Sequence, residues 1–169
     1  SYVGQGDGIH IKCSNGTNIM VDGGSTTVKE VGKYRIISYL KSQCNSTIDY
    51  WFLTHGDLDH ISGVVEILNN DISGIKIKNI VLPYMKEYDE NLLTVQKAAE
   101  NRGIDVHSIK KGDSLEFGDT KFKCLHPTLD TSSDDLNDYS IVLSVEYGDY
   151  SMLLTGDLTS TQETYMKDD

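Results

Sequence analysis

Cysteine is scarce and spaced wrongly for most of its specialised roles. Cys13, Cys44 and Cys124 are odd in number and include no Cys-x-x-Cys pair, which excludes a disulfide framework and a zinc knuckle. All three are expected to be buried free thiols. Long apolar runs are missing too: nothing approaches the roughly 20 residues that a spanning helix needs, so none is expected here, whatever a longer parent chain carries. Basic residues are outnumbered, 15 against 26 acidic, and the net charge of −11 makes the surface as a whole repel polyanions. The Asp-rich stretch from Asp130 to Asp138 adds to that field. Broad, non-specific nucleic-acid binding is therefore disfavoured. A site that binds dications would nevertheless cancel charge where a phosphate approaches, so nuclease chemistry is not excluded. The chain also lacks an initiator methionine, a charged leader and an apolar h-region, and reads as a piece excised from a longer protein.

Proline occurs only at Pro83 and Pro127, and there are no repeats or low-complexity linkers, so the elements follow closely on one another. With 38% hydrophobic residues and no break in composition, residues 1–169 read as one domain. Two short strands, Gly8 to Cys13 and Asn18 to Val21, are expected across a Ser14-Asn15-Gly16 turn. Val28, Val31, Tyr34, Ile37 and Leu40 recur every three residues, predicting a helix that ends near Cys44-Asn45. The run Ile48 to Leu53 is short and aromatic, which favours a central strand delivering the chain to His55. A short helix marked by Ile61, Val64, Val65 and Leu68 comes next, then a strand from Ile77 to Leu82. A second helix carries Leu92, Val95 and Ala99 and closes at Arg102-Gly103. The remainder is mainly sheet, with alternation through Leu115 to Phe117 and Phe122 to Cys124, and a hairpin from Ser140 to Thr155 turning at Gly148-Asp149. Strand-rich ends with helices between them suit a layered α/β sandwich.

The segment Thr54-His55-Gly56-Asp57-Leu58-Asp59-His60 places four potential metal ligands within six residues, directly after a buried strand. Imidazole and carboxylate together suit zinc, manganese or iron, and four ligands this close can be shared between two ions. The plain alternative is a solvated turn, since His, Gly and Asp are ordinary turn residues; the flanking buried strand weighs against it. A second strand end, Leu153-Leu154-Thr155-Gly156-Asp157, offers another carboxylate able to bridge two metals.

These motifs resemble the metallo-β-lactamase-fold hydrolases, and within them the soluble domain of the ComEC-type DNA-uptake proteins. The resemblance spans nearly the whole chain and follows the motif order. It runs through Val3-Gly4-Gln5-Gly6-Asp7, Val21-Asp22-Gly23-Gly24, Thr54 to Gly63, Leu125-His126-Pro127, Asn137 to Leu143 and Leu154-Thr155-Gly156-Asp157. It implies an αββα sandwich, incomplete at its C-terminus. It further implies two divalent metal ions, Zn or Mn. His55, Asp57 and His126 would hold one and Asp59 and His60 the other, with Asp157 bridging; Asp59 also carries the catalytic assignment. Asp57 stands where the general family has a second histidine, as in the ComEC-like branch, and a carboxylate there tilts preference toward manganese or another hard dication. His126 before proline also reads as a loop residue, and it is the family position that favours a ligand. Asp22 matches the family's buried aspartate, which braces the metal loop from behind, although an Asp-Gly turn is nearly as good a reading. Asn137 and Ser140 match a polar pair before the last hairpin, and Asn and Ser also start turns. Asp7, in a glycine-rich stretch, reads as part of a tight turn, and His10 and His107 as structural. Family members continue past the Gly-Asp ligand to a further strand and a His-His-Gly-Ser-like segment, which this sequence does not include.

Two dications sharing a water would supply a hydroxide and neutralise charge on the oxygens of an anionic transition state. Phosphodiester hydrolysis is thus expected, and the resemblance implies a nuclease on DNA, such as single-stranded DNA, at the extracytoplasmic face beside a membrane channel domain. The alternatives are a stand-alone hydrolase of another ester, lactone or β-lactam, secreted or cytoplasmic, and a non-catalytic metal-binding module.

Overall fold

The Ser14-Asn15-Gly16 turn reverses the chain with Gly16 at φ +87°, which glycine adopts without strain. It joins β1 (Gly8–Lys12) to β2 (Asn18–Asp22) as an antiparallel pair. The structure, a computed structural model, describes residues 8–25, 32–70 and 74–156. Next to β2 lie β3 (Thr47–Phe52), β4 (Lys76–Pro83) and β5 (Asp105–Ile109), all parallel, in a five-stranded sheet of order β1-β2-β3-β4-β5. Parallel strands covered on both faces read as largely apolar runs, and Tyr50 to Leu53 before His55 has that character, with Asp49 paired to Lys78 at the strand's start. Trp51 and Leu53 pack toward the helices, whereas Tyr50 and Phe52 pack toward a second sheet.

The helical layer begins with a π-helical turn, Gly32–Ile37, that runs into α1 (Ser38–Ser42). It continues with α2 (Leu58–Asn69) and α3 (Glu90–Asn101). Ile36 and Leu40, Ile61 and Val64, and Leu92 and Val95 join Met20, Trp51, Ile80 and Leu82 in one buried cluster between helices and sheet. The second sheet is antiparallel, ordered β6 (Ser114–Phe117), β7 (Thr120–His126), β8 (Val142–Tyr147) and β9 (Tyr150–Leu154). Its inward residues Phe117, Phe122, Cys124, Leu143 and Val145 meet Ile19, Val21, Phe52 and Val81 in a second cluster. The Phe52 and Phe122 rings stack across it at 5.9 Å. The result is a helix, sheet, sheet layering with the two inner layers of the expected αββα sandwich; among the described residues no helix forms the fourth layer.

Three local expectations are corrected. The period-three pattern over Val28 to Leu40 does not give one regular helix in its described part: the backbone widens into a π turn at Gly32–Ile37, and Ile36 is buried beside Ile37 and Leu40. Val28 and Val31 lie outside the described residues. The helix after β3 starts at Leu58, so Asp59 and His60 occupy its first turn and not a free loop. Cys13 and Cys124 are buried, but Cys44 is exposed. Cys44 closes α1 in a left-handed conformation, φ +54°, which turns it out of the helical layer. Burial pushes the Cys124 thiol up to about 12.

Candidate metal centre

Asp22 ends β2, and its carboxylate is the meeting point of the site. Oδ1 accepts the Thr54 backbone N–H at 2.7 Å, and Oδ2 accepts the Thr54 hydroxyl at 2.7 Å and His60 Nδ1 at 2.9 Å. The Trp51 indole N–H donates to the Asp22 carbonyl at 2.9 Å. Asp22 sits at φ +53°, a left-handed conformation that costs a non-glycine residue about 1–2 kcal/mol and is held here by these bonds. The turn that follows is clamped onto α2: Gly23 N donates to the His60 carbonyl at 2.8 Å, and Gly63 N to the Gly23 carbonyl at 2.9 Å. A Cβ on Gly63 would collide with that Gly23 carbonyl, so glycine is required there for close approach.

This network fixes which nitrogen of each imidazole carries the proton. His60 Nδ1 faces a carboxylate oxygen and must donate, which leaves Nε2 as its basic nitrogen. Thr54 Oγ1 spends its proton on Asp22, so His55 Nδ1, 3.0 Å from Thr54 Oγ1, also donates and again leaves Nε2 basic. The two rings stack obliquely, centroids 4.0 Å apart. Each basic nitrogen faces a carboxylate, His55 Nε2 to Asp57 Oδ2 at 3.7 Å and His60 Nε2 to Asp59 Oδ2 at 3.8 Å. Such spans are too long for hydrogen bonds and suit two ligands that share an ion. The histidine side chains are 2% and 3% exposed while Asp57 and Asp59 are 52% and 43% exposed, so the nitrogens form the floor and the carboxylates the rim. Asp57 is the N-cap residue of α2, yet its carboxylate makes no capping bond. An aspartate at that position ordinarily caps, contributing about 1 kcal/mol, and this one instead faces His55.

His126 ends β7, buried, on the second sheet. Its Nδ1 donates to the Ser140 carbonyl at 2.9 Å, which again leaves Nε2 as the basic nitrogen. Ile141 N in turn donates to the Thr54 carbonyl at 2.9 Å, so β7 and β3 are tied together beside the site. A cleft of roughly 300 Å³ opens there, with Asp22, Thr54 and His60 on one wall and Leu154, Thr155 and Gly156 on the other. Asp157 and Asp7 lie outside the described residues. Among the described residues, no three His, Cys, Asp or Glu side chains close around one point as a formed metal centre; two histidine–aspartate pairs stand side by side. His55 and His60, each held in one tautomer and facing a rim carboxylate, are nonetheless donors of the type that divalent metals take, and His126 is held in the same tautomer on the second sheet.

Asn137 is half-buried in a 3-10 turn, Leu136–Tyr139, and Ser140 is fully buried. His10 bonds Asn18 and Tyr39 and His107 bonds Asn79, as structural residues would. Sequence reading missed Thr54, whose backbone and hydroxyl link Asp22 to His55, although it adjoins the motif.

These features define a class. Residues 2–169 match the family model of the metallo-beta-lactamase superfamily, and the chain belongs to that superfamily, whose members are mostly metal-dependent hydrolases and typically bind divalent metals. Within it, the chain is 30% identical to ComE operon protein 3 of Bacillus subtilis over 177 residues, 95% of this chain and 22% of that protein, in line with a ComEC-type member. It thus spans about a fifth of that relative. Among solved structures it is similar to CmlA, a diiron beta-hydroxylase from Streptomyces venezuelae, with TM-score 0.64 and 18% identity over 99% of this chain and 31% of that one. It is also similar to Zn(2+)-bound PqqB from Methylobacterium extorquens, with TM-score 0.59 and 11% identity over 94% of this chain and 56% of the other. At these identities the likeness is one of fold.

Proposed function

We propose that this superfamily hydrolase is a two-metal phosphodiesterase acting on DNA. The observation that carries the reading is the pair of basic imidazole nitrogens facing rim carboxylates at 3.7 and 3.8 Å, across rings 4.0 Å apart. His55 with Asp57 would hold one ion and His60 with Asp59 the other, with His126 and Asp157 completing the set. When bound, such metals lower the pKa of water toward neutrality and neutralise charge on phosphoryl oxygens, whether the ion is zinc, manganese or iron. The chain's own part is orientation. Asp22 holds His60 by Nδ1, Thr54 holds His55, and the Ser140 carbonyl holds His126, so each imidazole needs no reorganisation to present its lone pair. Asp59, exposed at the rim, would take the proton of an attacking water on the carboxylate oxygen that does not face His60.

The choice of a phosphodiester rests on the carboxylate-rich donor set, which favours hard ions, and on the ordered ComEC-type motifs. A net charge of −11 argues against affinity spread over the surface and leaves the site as the place where a nucleic acid is attracted. Those motifs also support single-stranded DNA as substrate and a membrane channel domain, on this or another chain, as partner at the extracytoplasmic face. The test is manganese-dependent cleavage of single-stranded DNA and of bis(p-nitrophenyl) phosphate, with bound metal counted, in the parent and in Asp59→Ala. Cleavage with two bound ions, lost in the variant, is expected. Metal without cleavage of either substrate would redirect the search to carboxylic esters and lactams.

A further inference from the structure

The metal loop is gripped from a side that none of the motifs mentions. Gly56, between His55 and Asp57, is buried, and its carbonyl accepts the Asn91 side-chain N–H at 2.8 Å. Its Cα lies flat against Asp89: a Cβ added at Gly56 would stand 2.6 Å from Oδ2 and 2.7 Å from Oδ1. Asp89 is the N-cap of α3, and its Oδ1 accepts the Leu92 N–H at 2.9 Å. Asp89 Oδ2 is buried with no hydrogen-bond partner among the described residues, which capping alone does not explain, since the cap uses only Oδ1. The same helix start is anchored in the core by Leu92 and Val95.

From this geometry we infer that Asp89 and Asn91 are positioning residues for the metal loop. The rigid N-terminus of α3 holds Gly56 by its carbonyl and its Cα and so sets where His55 and Asp57 point. Asn91 supplies the directional bond, and Asp89 supplies the surface against which only glycine fits. Neither belongs to the ligand set proposed above; they act through the two peptides that flank Gly56. The inference rests on the reading of His55 and Asp57 as metal ligands and extends it to a helix whose Asn91 is 35 residues from Gly56 in sequence.

The experiment measures Mn²⁺ affinity by calorimetry on the full chain, for the parent, Asn91→Asp and Gly56→Ala, with the metal-free thermal midpoint of each as control. Asn91→Asp keeps the size of the side chain but removes the donor and sets an oxygen against the Gly56 carbonyl. Gly56→Ala forces the Asp89 carboxylate away. Both should weaken Mn²⁺ binding by about 10- to 100-fold, the range for partners that orient metal ligands, with the metal-free midpoint of Asn91→Asp close to the parent's and that of Gly56→Ala lower only by the roughly 2–4 °C that a disturbed Asp89 cap costs. If the parent binds Mn²⁺ and both variants bind it equally well, the inference fails and the metal reading stands. Affinity that falls only in step with the metal-free midpoint assigns the contact to the fold and also overturns it. A parent that binds no Mn²⁺ defeats the metal reading, and this inference with it.

Discussion

Replacing Asp22 by asparagine exchanges one carboxylate oxygen for an NH2 group, yet it should disturb the site more than truncating an exposed ligand. The carboxylate accepts three hydrogen bonds, from the Thr54 N–H, the Thr54 hydroxyl and His60 Nδ1. An amide offers one oxygen and one NH2 group. With the oxygen placed toward the Thr54 N–H, the NH2 confronts two groups that both need an acceptor. Hydrogen bonds to a charged partner contribute about 1.5–3 kcal/mol each, so losing two, with partial recovery by rotation of the hydroxyl, costs about 3 kcal/mol. For a chain of this size that corresponds to a midpoint lower by roughly 6–12 °C. His60 would escape the clash by moving its proton to Nε2, the nitrogen that faces Asp59, which abolishes its use as a ligand. Denaturant titration of the metal-free protein would read the stability, and nitrogen chemical shifts of the imidazoles would read the tautomer. A variant within about 1 kcal/mol of the parent, with His60 still protonated at Nδ1, would refute the assignment of Asp22 as the residue that sets this ring.

Further outcomes follow from individual groups. Ser140 is fully buried and its hydroxyl has no partner among the described residues, so Ser140→Ala should leave thermal stability unchanged or raise it by up to about 1 kcal/mol; a clear loss would show that the hydroxyl is bonded within the fold. With Cys13 and Cys124 buried and the Cys124 thiol up at about 12, a thiol reagent should label Cys44 alone in the native protein and all three cysteines in denaturant. Burial raises the Asp49 carboxyl, but its bond to Lys78, the Asn18 N–H and the Lys78 charge together outweigh this and hold it below its ordinary 3.8. A carboxyl depressed in the fold stabilises fully above its unfolded value and loses that contribution as pH falls through the folded one. Asp49→Asn should therefore cost about 1 kcal/mol at neutral pH, and its deficit should close below pH 3.8 when urea midpoints are compared across pH.

What could be read in advance was what is local along the chain. The strand before His55 is legible because strands of a parallel sheet covered on both faces are mostly apolar, as Tyr50 to Leu53 is, and His55 to His60 lie within six consecutive residues. The start of α2 is hidden in the sequence because its first turn carries an exposed leucine and polar site residues in place of core apolar ones. Leu58 is 56% exposed, so apolar periodicity begins only at Ile61 and hides the fact that Asp59 and His60 are helical. The importance of Asp22 was hardest to see. A residue before Gly-Gly at a strand end looks like any turn, and its partners lie 32 and 38 positions away, beyond the reach of any local pattern. Asn91 and Gly56 are 35 apart for the same reason. The π turn at Gly32–Ile37 is not legible either, because apolar spacing does not register a locally widened backbone within a helical segment.

The placement of these long-range partners is itself explained by the sheets. In open α/β sheets the carboxyl ends of parallel strands are where loops converge, and here β2 ends at Asp22 while β3 leads to His55. The second sheet reaches the same point from its own edge, through His126 at the end of β7 and Gly156 after β9. Thr54 is where the two meet: its carbonyl accepts Ile141 N, its hydroxyl bonds Asp22, and a Cβ on Gly156 would stand 3.0 Å from Thr54 Oγ1. The packing between the sheets, led by Phe52 against Phe122, therefore supports β3 and β7 behind Thr54 and His126. Since close-packed interiors transmit strain with little give, a cavity made by Phe122→Ala, although remote from every ligand, should loosen the site by letting the sheets shift across Thr54.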